Sequence, residues 1–402
     1  MPEITDFGLI VLAVAGVFAL AVLSNKLSEH VPVPAPAIFL LAAALAAYLS
    51  PRLGRELSIQ DVERVAVVAL VAILFDGGMR VGWKRFRLAA APISILGVFG
   101  TFATASVIAI AGRYLFDFSW TGAGILGAAL APTDPAVMFS VLGKREVGGR
   151  TGTILEGESG MNDPVGIALM IGMLQFATHA DASSWTVVRE FVVEMSVGLV
   201  IGMAGALLVL ESIRRIRLAD PALYPLRSFA AAGVIYGVAA VAHGSGFLAV
   251  FVAGILIGDA DYPHRNDVVR FHTSLASLAE IIVFVALGLT VNNVSLGLVW
   301  SDAILLTLIL VFLARPLAVG LLLLPARLRH GERLFVIWGG LKGAVPILLA
   351  AFALLEGVGG ADRIYGIVFV VVAFSVIVQG GSIPFAARRL GVPMRLAERD
   401  RA

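Results

Sequence analysis

Long apolar runs, each closed by a short polar or glycine-rich stretch, recur along the whole chain. Runs able to cross a hydrocarbon core about 30 Å thick fall near residues 7–25, 34–50, 62–79, 88–112, 119–142, 152–177, 187–211, 224–243, 245–259, 271–291, 297–324, 333–355 and 364–386. The pattern predicts thirteen spans, an all-α polytopic membrane protein. The ninth run is short, and Gly244-Ser245-Gly246 predicts a tight turn before it. Charge in the loops supports this count. Of the 30 Lys and Arg, counting those within the first four residues of a span with the loop before it, 22 follow odd-numbered spans, 6 follow even-numbered ones, and Arg315 and Lys342 fall inside spans. Basic residues stay in the cytoplasm, so the amino terminus is expected outside and the carboxy terminus in the cytoplasm.

Two runs are broken from within. The fifth is interrupted at Pro132-Thr133-Asp134-Pro135 and the twelfth at Gly339-Gly340-Leu341-Lys342-Gly343-Ala344-Val345-Pro346. They lie seven spans apart, an odd offset, so they cross in opposite directions. Paired, inverted broken helices point to a secondary transporter with its site at the midplane. Asp134 would offset the positive ends of the half-helices and Lys342 the negative ones. Ordinary proline or glycine kinks are the plainer alternative.

Composition removes most other classes. The chain of 402 residues is 59% hydrophobic and 14% charged, with mean hydropathy +0.94, well away from a soluble domain. It has no cysteine, which excludes a disulfide framework and a thiolate metal site. Its 43 glycines suit close helix packing in lipid. The net charge of +2 follows topology and forms no nucleic-acid patch. The amino terminus lacks the basic start of a cleaved signal, so the first run is expected to be retained. Residues 1–390 are expected to form one transmembrane domain and 391–402 a short cytoplasmic tail without a regulatory domain. No loop exceeds about twenty residues, leaving no room for a nucleotide-binding or enzymatic domain, so neither catalysis nor a cofactor is expected.

The acids inside the spans carry the chemistry. An ionisable side chain in the bilayer costs several kcal/mol, so Asp134, Glu158 and Asp163 are functional candidates. Prolines beside Asp134 and Asp163 are expected to break their helices and free carbonyls there. Asp163, between Asn162 and Pro164, has Ser159 one turn back, on the same helix face. A dehydrated alkali cation needs several hard oxygens, here Asp163, Ser159 and carbonyls at Thr133. A half-buried carboxylate can hold a proton or a cation in turn, which with alternating access is sufficient for antiport. A buried acid serving assembly is the bland alternative. Glu158 is read as the partner of Arg315, a buried pair between the sixth and eleventh spans rather than a transport group. Asp76 is either a further ligand or a solvated helix-end acid beside Arg80. Glu280, mid-span in the tenth, either lines the cytoplasmic funnel or tunes the pH response. Glu156 lies nearer the surface, and His243 reads as a loop hydrogen-bonder. Gly157-Glu158-Ser159-Gly160 has the form used by intramembrane serine proteases, with Ser159 as nucleophile. A protease would leave Asp163 and Lys342 unexplained, whereas a passive cation channel would share the acids.

The motifs together resemble the NhaP and sodium/proton-exchanger branch of the monovalent cation/proton antiporters, across nearly the whole chain. Those that carry the likeness are Leu74 to Met79, Thr133-Asp134-Pro135, Glu158-Ser159 with Asn162-Asp163-Pro164, Gly244 to Gly254, Ala314-Arg315-Pro316 and Trp338 to Pro346. The resemblance implies an NhaA-like antiporter fold, a homodimer in the inner membrane, and core helices within 62–177 and 271–386 beside a scaffold. It makes Asp163 the essential carboxylate and Asn162 the neutral neighbour associated with electroneutral exchange. Glu158 with Arg315 resembles the family's structural ion pair, and Asp76, Thr133 and Asp134 its contributors to the ion site. Gly343-Ala344-Val345-Pro346 is most similar to bacterial potassium/proton antiporters linked to cell-volume regulation. Two departures stand out: Lys342 occupies a position where the family usually has Arg, and members of the potassium branch commonly carry a regulatory domain after the last span.

Overall fold

The computed structural model describes Gly16, Ala19 and residues 34–49, 58–142, 145–179, 183–293 and 296–396. The first expected span, 7–25, lies outside the described residues except for Gly16 and Ala19, both helical. The other twelve expected spans all fall on helix. In chain order the helices are α1 (Ala35–Leu49), α2 (Ile59–Ser94), α3 (Thr101–Leu115), α4 (Trp120–Leu130), α5 (Pro135–Leu142), α6 (Gly149–Thr178), α7 (Ser184–Arg215), α8 (Leu223–Val241), α9 (Gly246–Gly258), α10 (Arg265–Leu289), α11 (Leu296–Ile309), α12 (His330–Trp338), α13 (Ala344–Leu355), α14 (Ala361–Phe374) and α15 (Gly381–Arg389). Only these segments keep backbone polar groups paired where no water reaches them. Serines start several of them: the hydroxyls of Ser58, Ser119 and Ser245 accept from the backbone N–H groups of Asp61, Gly122 and Leu248.

Three local features were not legible in the hydropathy pattern. The expected loop between the third and fourth spans is replaced by a sharp bend inside α2, where Gly82 takes φ +64°, a conformation that favours glycine. The Asp259 carboxylate fills the space a side chain would need there and accepts from Lys84 N at 2.7 Å. Wider, π-helical turns occur at Ile95–Gly100, at Leu310–Ala314 and Pro316–Gly320 on either side of Arg315, and at Ser375–Gly380. Finally, β1 (Arg145–Val147) pairs antiparallel with β2 (Met394–Leu396), and Arg395 reaches Glu146 at 3.1 Å. The expected short tail is thus tied, at least to Leu396, to the segment after α5.

Close helix packing follows from glycine. Where α2 crosses α9, a Cβ on Gly78 would meet the Phe251 carbonyl, one on Gly254 the Phe75 carbonyl, and one on Gly258 the Met79 carbonyl. Backbone lies against backbone there, and no rotamer change can make room. Gly254→Leu is therefore expected to destabilise the fold by ~3 kcal/mol or more and to remove the monodisperse peak in detergent chromatography. Gly233→Leu on α8, where an added Cβ meets open space, should leave the peak intact. Outward faces are apolar as well: Leu199, Val200, Leu207 and Leu208 on α7, and Phe312 and Leu313 in the eleventh span, are exposed, as lipid contact requires.

Candidate functional site

The two interrupted spans meet at their breaks. In the fifth, helix stops at Leu130 and resumes at Pro135; in the twelfth it stops at Trp338 and resumes at Ala344. The Asp134 N–H donates to the Leu341 carbonyl at 2.8 Å, backbone to backbone across the crossing. The Lys342 ammonium, 1% exposed, donates to the carbonyls of Ala131 at 2.9 Å and Pro132 at 2.8 Å. These are carbonyls freed at the end of α4, and a cation at a helix C-terminus offsets the partial negative charge there. The Asp134 carboxylate lies against Gly343, where any Cβ would overlap it, at the start of α13. Each break thus receives a side chain of the charge that its helix ends demand.

Arg315 treats the other half-helix likewise. It pairs with Glu158 at 2.5 Å, both side chains being almost wholly buried. It also donates to the carbonyls of Val336 at 3.2 Å and Ile337 at 3.5 Å, near the end of α12. Its guanidinium occupies the space beside Gly340 that a side chain would fill. The pairing with Glu158 is visible in the sequence as two lone opposite charges. The capping of α12 is not.

Helix α6 supplies the oxygens facing the first break. Ser159, Asn162 and Asp163 share one face and all are buried. Asn162 clamps Thr133 at both ends: its Oδ1 accepts from the Thr133 N–H at 3.2 Å, and its Nδ2 donates to Thr133 Oγ1 at 2.7 Å. The Ser159 hydroxyl donates to the Thr133 carbonyl. Asp163 is 7% exposed, which keeps it away from the lipid, and its Oδ1 is buried without a hydrogen-bond partner among the described residues. Asp134 and Lys342 lie within its electrostatic reach. Carboxylate, hydroxyl and carbonyl oxygens therefore converge at the crossing, with one carboxylate oxygen unsatisfied, an expensive arrangement for a purely structural group.

The proline beside Asp163 does not do what the sequence suggests. α6 runs unbroken through Pro164 from Gly149 to Thr178. The ring removes one hydrogen bond, to the Gly160 carbonyl, and packing around the helix absorbs that loss more cheaply than a second interruption would. Of the two readings of Asp76, the solvated helix-end acid is the one that the structure contradicts. Asp76 is 3% exposed, not solvated, and lies within α2 rather than at its end; it accepts from Arg80 Nε at 2.5 Å and Thr273 Oγ1 at 2.9 Å. Each of its oxygens accepts one of these hydrogen bonds.

Glu280 is half-buried on α10, and Glu156 pairs with Arg85 at 2.8 Å. His243 is exposed in the turn after α8, and no hydrogen bond among the described residues joins it to Ser159, so it is not placed as a base for the Ser159 nucleophile that a protease would need. Two residues that sequence reasoning missed hold the second break. Ser375 accepts from the Lys342 N–H at 2.9 Å and donates to Gln379 at 2.9 Å, and Gln379 donates to the Trp338 carbonyl at 2.9 Å. Their signal was two polar side chains one turn apart in an otherwise apolar span.

Residues 10–389 match the family described as sodium/hydrogen exchanger, transmembrane. The chain is 34% identical over 389 residues to the K(+)/H(+) antiporter NhaP of Alkalimonas amylolytica, covering 96% of this chain and 68% of that protein. It is 32% identical over 373 residues to the K(+)/H(+) antiporter NhaP2 of Shewanella sp. strain MR-4, covering 92% of this chain and 65% of that one. It thus spans about two thirds of the length of these curated relatives. The Na(+)/H(+) antiporter NhaH of Halobacillus dabanensis is 27% identical over 360 residues, 84% of this chain and 86% of its own length. Among solved structures, the sodium proton antiporter MjNhaP1 from Methanocaldococcus jannaschii superposes with a TM-score of 0.79 at 21% identity, over 97% of this chain and 99% of that one. That likeness covers the fold as a whole, in which twelve of the thirteen expected spans fall on helix among the described residues. On the family match and the relatives together, the chain belongs to the sodium/hydrogen exchanger family.

Proposed function

We propose that this protein exchanges a monovalent cation, potassium or sodium, for protons across the bacterial inner membrane by alternating access around Asp163. The observation that carries the reading is the buried, unpartnered Asp163 oxygen at the crossing of two broken helices, among the oxygens of Ser159, Thr133 and Asp134. A cation arriving there would be held by Asp163, the Ser159 hydroxyl and the Thr133 carbonyl, while Asn162 fixes the Thr133 loop. The same carboxylate binds a proton when the cation leaves, so occupancy by one excludes the other. Glu158 with Arg315, and Lys342, hold the half-helices without touching the ion.

One titrating carboxylate beside a neutral Asn162 gives one charge in each direction, so exchange is electroneutral. The distribution of Lys and Arg puts the amino terminus outside and the carboxy terminus in the cytoplasm. The helices within 62–177 and 271–386 form the moving core, and the remainder a scaffold through which two copies associate in the lipid. A passive channel would use the same acids but would dissipate cation gradients without moving protons. Fluorescence dequenching in everted vesicles, scanning lithium, sodium, potassium and rubidium across pH, tests the reading. Added sodium or potassium should release protons from the vesicle interior, without any dependence on an imposed membrane potential. Cation flux with no accompanying proton movement would overturn antiport, and exchange driven by potential alone would overturn its electroneutrality.

A further inference from the structure

The ion site leaves Glu280 without a role, although its Oε1 is buried and has no hydrogen-bond partner among the described residues. Glu280 and Thr273 are seven residues apart on α10, two turns along one face, or about 10 Å at 1.5 Å per residue. Thr273 donates to Asp76, and Asp76 is held by Arg80. Asp134 and Arg80 both lie within electrostatic reach of Glu280, and Asp134 lies within reach of Asp163. The carboxyls of Asp76, Glu280, Asp134 and Asp163 therefore form a series from the α2–α10 contact to the helix crossing.

The surroundings of Glu280 choose between the two ions. Helices α1 and α13, both packed on α10, contribute no charged side chain. On α8 the Arg227 guanidinium is turned to the Ile216 carbonyl. Of the charged groups on α2, the other helix packed on α10, Arg80 is the one that acts on Glu280; Asp134 acts on it from the first break, and Arg80 itself pairs with Asp76. α10 itself is unbroken and frees no mid-span carbonyls. An alkali cation needs several oxygens and is repelled by a guanidinium. A proton needs one oxygen.

We propose that Glu280 is a proton relay between the Asp76–Arg80 pair, a mouth where the Arg80 side chain is 36% exposed, and the Asp134–Asp163 site, and that the cation does not stop there. The idea rests on the antiport reading above. In one direction the Glu280 carboxylate takes a proton from hydronium at the mouth, forming one O–H bond. It then gives that proton to Asp134 or Asp163 as the cation departs, and returns to its ionised form. One proton enters as one cation leaves, and charge balances.

Two assays on the purified protein in proteoliposomes test this: cation-driven proton movement, followed with a pH dye, and isotopic sodium–sodium and rubidium–rubidium exchange without a pH gradient. Glu280→Gln should slow proton-coupled exchange by at least about tenfold. Cation–cation exchange and its apparent KM should stay within twofold of wild type. A raised KM with both exchanges slowed equally would make Glu280 a cation ligand and overturn the relay; no change in either assay would also overturn it. Should Glu280→Gln fail to fold, Glu280→Asp must still show slowed proton coupling with intact cation exchange, or the proposal falls. Failure of antiport itself is distinguishable, because the wild-type protein would then move no protons in the first assay.

Discussion

Asp163→Asn is expected to abolish exchange while leaving the protein folded. The amide matches the carboxylate in shape and sits beside Asn162 in an unbroken α6, so packing changes little. Removing a buried carboxyl whose Oδ1 has no partner also relieves a desolvation cost, and folded yield should be equal or higher. Function is another matter. An amide can neither carry the charge that offsets a cation nor take up and release a proton near neutral pH. Of the oxygens remaining at the site, those of Ser159 and Thr133 are already bonded to each other, and the Asp134 carboxylate lies against Gly343 at the start of α13. Proton-coupled exchange and cation–cation exchange should therefore both fall by at least about a hundredfold, to the level of empty liposomes. In the wild type, protons and cations compete for the same oxygens, so lowering the pH should raise the apparent KM for the cation. The pair of measurements is dequenching in proteoliposomes and a thermal melt in detergent. Near-normal exchange by a folded Asp163→Asn protein would move the site elsewhere, with Asp134 as the first alternative.

What could be read in advance divides along a physical line. Hydrophobic runs fix membrane spans because lipid admits few alternatives, and for that reason every expected span from 34–50 onward falls on helix. The breaks at 131–134 and 339–343 were legible because proline or glycine coincided with a charge at membrane depth. The same reasoning failed at Pro164, since one proline in a well-packed helix costs a single hydrogen bond, whereas Pro132 and Pro135 remove donors on both sides of one turn. The roles of Arg315 beyond Glu158, and of Ser375 and Gln379, depend on which carbonyls of α12 come near them. Contacts of that kind leave no periodic trace. Pairing of residues 145–147 with 394–396 escaped for a similar reason: three-residue strands lie below any alternation signal, and their partners are far apart in the chain. Composition gave the oxygens; only the fold shows that Asn162 is spent on clamping Thr133 and that Asp163 Oδ1 has no partner among the described residues.

Breaking the Glu158–Arg315 pair should separate stability from transport. Glu158→Gln leaves the Arg315 guanidinium almost wholly buried without a counter-charge, with neutral acceptors alone: the new amide oxygen and the Val336 and Ile337 carbonyls. Uncompensated burial of this kind costs about 3–5 kcal/mol, and the variant should show a clearly lower melting temperature and poor recovery from detergent. The double substitution Glu158→Gln with Arg315→Met removes both charges, so the desolvation problem disappears and most of the folded yield should return. Exchange should not return with it, because the half-helix end of α12 has lost its cap and the Gly339–Gly343 break is no longer held. Arg315→Lys is intermediate: it keeps a charge, but a single ammonium cannot match the fork that serves a carboxylate and two carbonyls together. Melting curves and dequenching on the same preparations decide the matter. If the double variant exchanged at the wild-type rate, the pair would be a fastening between the sixth and eleventh spans and nothing more. If Glu158→Gln melted like the wild type, the guanidinium would have found other partners, and its hold on the broken helix could not depend on this carboxylate.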